Sequence, residues 1–288
     1  MMNRRRIGSA LLGVTVVLAG AQMHAQASAI PSAQVSAEAQ PASGEQSKGR
    51  GLLTEMVKAL GGDTWLNRQN WVFEGRAATF YKGMPHEDAP QFEEYYRATP
   101  FAERVIVITH SGIFIATNHK DIAEIWTPDN GYELTFRGKK PLPEKDVQDY
   151  MRRRAHSLET VVHDWLSKPD TIVTYEGSNM VSRRLAEQVS IITAKNDAVT
   201  IELEESTHRP LSISFQWRDP LYKDLNTDEI QYDDYHVVQG IATPYAVTYL
   251  HNGDTTQQRF FTKIAYNQPL GEDLFNPDAP LNVKTKGK

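Results

Sequence analysis

Cysteine is absent from all 288 residues. That single absence excludes disulfides, thiol catalysis, Cys-type zinc sites and a lipidated N-terminal Cys. An exported chain of this kind must be stable through its core alone, and about 230 ordered residues are enough for one. An apolar run of about 20 residues, the length a bilayer span needs, is also missing, because the stretch Ile7 to Ala21 is short and Gly-containing. There is no Gly-x-Ser-x-Gly, no Gly-rich phosphate loop and no His-Glu-x-x-His, so the usual hydrolase, nucleotide and zincin signatures are lacking. Positive charge is in deficit, with 31 Lys+Arg against 36 Asp+Glu. Residues 1–27 hold three of the cations and no acid, which leaves the remainder at −8. Acidity of that size disfavours nucleic acid and anionic membrane surfaces as primary partners, although Arg152-Arg153-Arg154 and Arg183-Arg184 form local basic runs.

What is present begins with a basic start, Arg4, Arg5 and Arg6, an apolar run to Ala21, and small residues at Ala25 and Ala27. This order predicts a secretory signal peptide over 1–27, cleaved after Ala27, and a periplasmic, non-lipidated product. Residues 28–50 are Ala, Ser, Gln, Glu and Pro with almost no large apolar side chain, so a disordered tether is expected there. A single domain is expected over 51–282, with a flexible tail over 283–288. Leu52, Leu53, Met56, Val57 and Leu60 fall at helical spacing, and Gly61-Gly62 ends that helix.

Strands are predicted next. Trp71, Phe73, Gly75, Ala77 and Thr79 alternate with Val72, Glu74 and Arg76, and further strands are expected over 92–97, 102–109, 113–118, 123–127 and 132–137. A long helix is predicted from Glu144 to Lys168, opened by Pro143 and closed by Pro169. Its apolar stripe is Val147, Tyr150, Met151, Leu158, Val161, Val162, Trp165 and Leu166, and such a stripe in a β protein must lie on a sheet. Strands resume at 171–175 and 184–193. From Ala198 to Phe275 the chain reads as a hairpin meander, in which Val199, Ile201 and Leu203 share a face, as do Leu211, Ile213, Phe215 and Trp217. Tyr245, Val247 and Tyr249 follow, then Asn252-Gly253, a strong hairpin signal, then Phe260, Ile264 and Tyr266. The fold class expected is α+β: mainly antiparallel β, strongly curved, under a helical lid.

The order of several short motifs carries a resemblance: Lys58-Ala59-Leu60-Gly61-Gly62, Asp164-Trp165-Leu166, Tyr175-Glu176-Gly177, Tyr232-Asp233-Asp234-Tyr235, Gly240-Ile241-Ala242-Thr243-Pro244, then Tyr266-Asn267 and Leu274-Phe275-Asn276-Pro277. Together they resemble the LolA-like superfamily of outer-membrane lipoprotein carriers and sorting proteins, over nearly all of Gly51 to Pro277. The resemblance implies a half-barrel sheet with a helical lid, sheltering acyl chains between them. It also implies that Arg97, in Tyr95-Tyr96-Arg97-Ala98-Thr99-Pro100, hydrogen-bonds the lid. Expected cavity residues are Trp71, Phe73, Tyr95, Trp126, Leu211, Ile213, Phe215, Trp217, Tyr245, Tyr249 and Phe260, with the helix stripe as lid. An acyl chain left in water costs about 0.8 kcal/mol per CH₂, so a carrier must bury it.

No catalytic residue, metal or cofactor is assigned. His156, Glu159 and His163 share one side of the predicted helix, but no further ligand completes a set. The adjacent acids Glu93-Glu94, Glu204-Glu205 and Asp233-Asp234 point to opposite strand faces and make no two-carboxylate site by themselves. The expected function is therefore a carrier or binding protein for lipid or lipoprotein acyl chains. The alternative is an envelope protein–protein interaction module with a collapsed interior, and a third reading is an enzyme acting on lipid or glycan.

Overall fold

The computed structural model describes residues 43–86, 89–108 and 121–281. The predicted signal segment, most of the predicted tether, the strand expected at 113–118 and the predicted tail lie outside the described residues. Two helices, α1 (Ser43–Leu60) and α2 (Asp63–Leu66), precede seven strands: β1 (Asn70–Tyr81), β2 (Met84–Pro85), β3 (Gln91–Arg97), β4 (Ala102–Ile108), β5 (Ile122–Trp126), β6 (Gly131–Thr135) and β7 (Gly138–Pro141). A helical crossing follows, α3 (Glu144–Ala155) and α4 (Leu158–Thr160), the latter running into a π-helical turn, Val161–Trp165. Then come β8 (Ile172–Val181), β9 (Arg184–Ile192), β10 (Ala198–Glu204), β11 (Pro210–Arg218), β12 (Leu225–Val238), β13 (Ile241–His251) and β14 (Asp254–Tyr266).

All ladders are antiparallel, in the order β7-β6-β5-β4-β3-β1-β14-β13-β12-β11-β10-β9-β8, with β2 folded back on β1. Two meanders are thus welded where β1 pairs with β14, Trp71 opposite Tyr266 and Phe73 opposite Ile264. The curved sheet does not close: β7 and β8 are its free edges. The chain between those edges is the helical crossing, so the helices must span one face of the sheet. That face is concave and carries the main core.

Alternation assigns the faces. Val199, Ile201 and Leu203 are buried against the helices, as their spacing predicts. The Asn252-Gly253 turn has φ of 52° and 84°, the left-handed pair that a two-residue hairpin demands. Register shifts interrupt the period in several ladders, and the one between β1 and β14 changes which side chains face the core. β14 carries a bulge opposite Glu74 and Gly75, so that Glu74 pairs with Lys263 but Gly75 with Phe261. The extra residue reverses parity: Phe261 joins Ile264 and Tyr266 in the core, whereas Phe260 points out, 48% exposed. The period-two grouping of Phe260 with Ile264 and Tyr266 is corrected accordingly. Gly75 belongs to the same device, since a Cβ there would lie 2.2 Å from the carbonyl oxygen of Phe260.

Two helical boundaries also differ from expectation. α1 begins at Ser43, not Gly51, because tertiary contacts hold its polar first half: a Cβ at Gly49 would lie only 3.1 Å from Tyr175 and Val173, and Arg50 donates to the Thr171 carbonyl at 2.7 Å. The predicted continuous helix over 144–168 is broken at His156-Ser157, where Ser157 accepts from the Thr160 N–H and starts a second segment. Burial separates the two pieces. Leu158, Val161 and Trp165 enter the core with α1 residues Leu52, Leu53, Met56 and Leu60, each contributing about 2 kcal/mol. α3 has no buried residue.

The C-terminal segment covers the convex face at β3 and β4. Leu274 and Phe275 pack on Tyr95 and Ala102. Arg104, fully buried, donates to the carbonyls of Leu274 (3.0 Å) and Leu281 (2.6 Å). The bulge predicts an asymmetry between adjacent aromatics: Phe261→Ala should cost about 2–4 kcal/mol and Phe260→Ala under about 0.5 kcal/mol, measured by urea denaturation.

Candidate functional site: the concave face beneath the helical crossing

The concave face divides into two regions. Where α1 and α4 lie, it is filled by apolar side chains from β8 to β13. Phe73, Phe261, Ile230, Tyr232, Trp217 and Tyr245 pack against that core yet keep accessible surface, as does Tyr249. Burial nevertheless pushes the phenols of Tyr232 and Tyr249 up. Side chains that are deep in the protein yet still reachable by solvent are the kind of lining a ligand recess needs.

The opposite wall is acidic. Register places Glu94 opposite Val105, Val105 opposite Glu124, and Glu124 opposite Glu133, a transverse row across β3 to β6. Glu103 stands beside it on the same face, opposite both Tyr96 and Trp126. Arg259 of β14 reaches into this row and donates to Glu94 at 2.8 Å, while the Trp71 indole donates to the other Glu94 oxygen at 3.0 Å. Burial alone would lower the Arg259 pKa, but Tyr249 and the carboxylates of Glu94, Glu103 and Glu124 raise it. Glu103 is pushed up to about 8, first by burial and then by the charge of Glu94. Burial raises Glu124 as well.

α3 closes over this region by ring and cation contacts. Tyr150 stacks on Trp126 with centroids 3.9 Å apart, and its hydroxyl donates to Glu103. Arg152 lies 3.4 Å over the Trp217 ring and Arg154 lies 3.6 Å over Phe101. Such contacts contribute about 0.5–2 kcal/mol each, less firmly than the apolar anchor of α4. At the kink, His156 stacks on Phe215 at 4.0 Å and bridges the Arg152 carbonyl and Asp197, both at 2.7 Å.

Among the residues expected to line a cavity, Trp71, Phe73, Trp126, Phe215, Trp217, Tyr245 and Tyr249 share the concave face with Ile213. Leu211 is buried. Tyr95 does not belong there: it pairs with Val72 on the convex face, beneath Leu274 and Phe275. Its neighbour Tyr96 is the inward ring, stacked on Trp71 at 3.7 Å, and burial pushes its hydroxyl up to about 12. Of the expected lid residues, Leu158, Val161 and Trp165 are fixed in the core, and Val147, Tyr150, Met151 and Val162 are half-buried.

Arg97 is corrected too. It donates to the Pro100 carbonyl and to Glu272 (2.7 Å) and lies over Phe275, so it ties down the C-terminal segment rather than the lid. The arginine that meets the crossing is Arg68, buried on Trp65 at 4.1 Å and donating to Glu159 of α4 at 2.8 Å. Glu159 is thereby engaged, and His163 stacks on Trp65 instead of joining His156. Among the described residues no three His, Cys, Asp or Glu side chains group to hold a metal. No described helix is long and apolar enough to cross a membrane.

The geometry is thus that of an open, curved antiparallel sheet whose two edges are joined across its hollow by a two-piece helix. No family model and no curated protein sequence matches the chain. Among solved structures, the chain is similar to proteins of the LolA superfamily and of outer-membrane lipoprotein sorting. A LolA-superfamily protein from Nitrosomonas europaea matches at 9% identity and TM-score 0.48, covering 79% of this chain and 97% of its own. A DUF1329 family protein from Desulfovibrio piger matches at 11% identity and TM-score 0.49, covering 81% and 97%. A domain provisionally described as an outer-membrane lipoprotein-sorting protein, from Vibrio parahaemolyticus, matches at 11% and 0.48, covering 80% and 97%.

A carboxyl group whose folded pKa is raised stabilises the fold below its ordinary value of 4.5, and that contribution is lost as pH rises through about 8. Thermal stability should therefore fall between pH 5 and about 8.5, and Glu103→Gln should flatten the decline. Equal slopes in the two proteins would show that Glu103 is not the titrating group.

Proposed function

We propose that the protein is a non-enzymatic carrier or binding protein of the cell envelope, which shelters the acyl part of an amphiphile between the curved sheet and α3. The observation that carries this reading is the uneven seating of the crossing. α4 is anchored by Leu158, Val161 and Trp165, whereas α3 rests over the recess by Tyr150, Arg152 and Arg154 without a buried residue of its own. A segment held at one end and weakly seated at the other is suited to act as a gate. The aromatic wall of Phe73, Phe261, Tyr245 and Tyr249 supplies apolar cover for a chain. The Arg259 and glutamate row supplies partners for a polar head, so an amphiphile fits better than bare hydrocarbon.

A second reading has its own observation. The stacks of Tyr150 on Trp126 and of His156 on Phe215 bring the crossing into direct contact with the sheet, as in an interaction module with a closed interior. Extraction and mass spectrometry separate the two. The carrier reading expects co-purifying lipid, uptake of an apolar fluorescent probe, and faster uptake by about fivefold or more in Tyr150→Ala, equivalent to about 1 kcal/mol of lost seating. A protein that carries no lipid and takes up no probe, in wild type and variant alike, sinks that reading.

A further inference from the structure

The larger share of the exposed apolar residues stands at one rim of the sheet, with Met180, Leu185 and Val237 at the other. Strand directions place the ends of β1, β6 and β11 at one rim. Tyr81 and Met84 stand there on the β1–β2 turn, Phe136 on the β6–β7 turn, and Leu221, Tyr222 and Leu225 on the β11–β12 tip, with exposures from 54% to 74%. These side chains sit on hairpin ends that no described residue covers. The tip of β11–β12 is also stiffened, because Asp219 accepts from the backbone N–H groups of both Leu221 and Tyr222, at 2.8 and 2.7 Å. Their backbone N–H groups are thereby satisfied, and both side chains are 74% exposed.

Each tip carries a cation next to its apolar residue: Lys82 beside Tyr81, Arg137 beside Phe136, and Lys223 beside Tyr222. Lys82 and Arg137 lie 5.4 and 5.3 Å from the neighbouring ring centroids. An apolar or aromatic body with a cation at its root matches a membrane interface, where the ring reaches the acyl boundary and the cation meets phosphate. Asp224 and Asp254 stand at the same rim, and the whole chain is acidic. Net electrostatic attraction is therefore too weak to carry such a contact, and insertion of the apolar tips must do so.

We infer that this rim is a docking surface for a phospholipid bilayer, with Phe136, Leu221 and Tyr222 inserting into the interface and Lys82, Arg137 and Lys223 meeting lipid phosphates. Several shallow insertions on one rim act together, so that individually weak contacts give measurable attachment. The inference stands apart from the cargo reading, since none of these residues lines the recess.

The test is flotation of the full protein with vesicles of phosphatidylethanolamine and phosphatidylglycerol. Wild type should float with them, and the bound fraction should fall about tenfold in Phe136→Asp and in the Leu221→Asp/Tyr222→Asp double variant. Leu221→Ala/Tyr222→Ala, which places no new charge on the tip, should weaken flotation in the same direction. Val237→Asp is the control: Val237 is 70% exposed at the opposite rim and should float like wild type. The inference is overturned if wild type stays unbound, if the rim variants float as well as wild type, or if Val237→Asp is equally impaired. Retention by a protein partner without vesicle binding would also overturn it. Lipid uptake in solution with no flotation would remove the docking surface and leave the carrier reading intact.

Discussion

The pairing of β1 with β14 is the contact on which the rest of the structure depends. It joins a meander that runs outward from β3 with one that returns from β8, and it does so between residues nearly 200 positions apart, Trp71 and Tyr266. Without it the molecule is two smaller sheets, each with an uncovered apolar face. With it, the remaining ends, β7 and β8, become the free edges of one curved surface. The chain that links those edges crosses the hollow, where Trp165 and Tyr150 meet the inner face. Topology thus supplies the link, and packing decides the face it covers.

That crossing is built from two unlike pieces. Ser157 caps the start of α4 just after His156 ends α3, and the break lets each piece meet a different kind of surface. α4 and its π turn face apolar residues and are buried. α3 faces carboxylates and aromatic rings, and it answers with Tyr150, Arg152 and Arg154. Burying an unpaired carboxylate is costly, which explains why Glu94 is held between Trp71 and Arg259 and why Glu103 takes the Tyr150 hydroxyl. The interior under α3 is therefore amphipathic, where the sequence led to the expectation of an apolar one.

Much of the fold was legible in the chain because strand alternation and turn chemistry are local. Gly61-Gly62, Asn252-Gly253 and the runs at Val199 and Ile213 lie where their spacing put them. The helix stripe was equally readable, and Leu158, Val161 and Trp165 are buried. The candidate site was legible only in part. Aromatics such as Phe73, Trp126 and Trp217 announce themselves by size and parity. Glu94, Glu103 and Glu124 look like ordinary strand acids, and Arg68 and Arg259 like ordinary loop and strand cations. Their grouping exists only in the cross-strand register.

The sequence by itself determined the class of fold, the absence of any disulfide, the placing of most strands and the existence of a helix lying on the sheet. These follow from periodicity, turn residues and composition, which act over a few positions. Only the tertiary structure decided that Tyr96 and Phe261 face inward rather than Tyr95 and Phe260, that Arg97 ties down the C-terminal segment while Arg68 meets the lid, and that four glutamates share one wall. For the strand residues the reason is register. A period of two leaves the choice of face to register, a one-residue bulge reverses it, and register is set by partners far away in the chain.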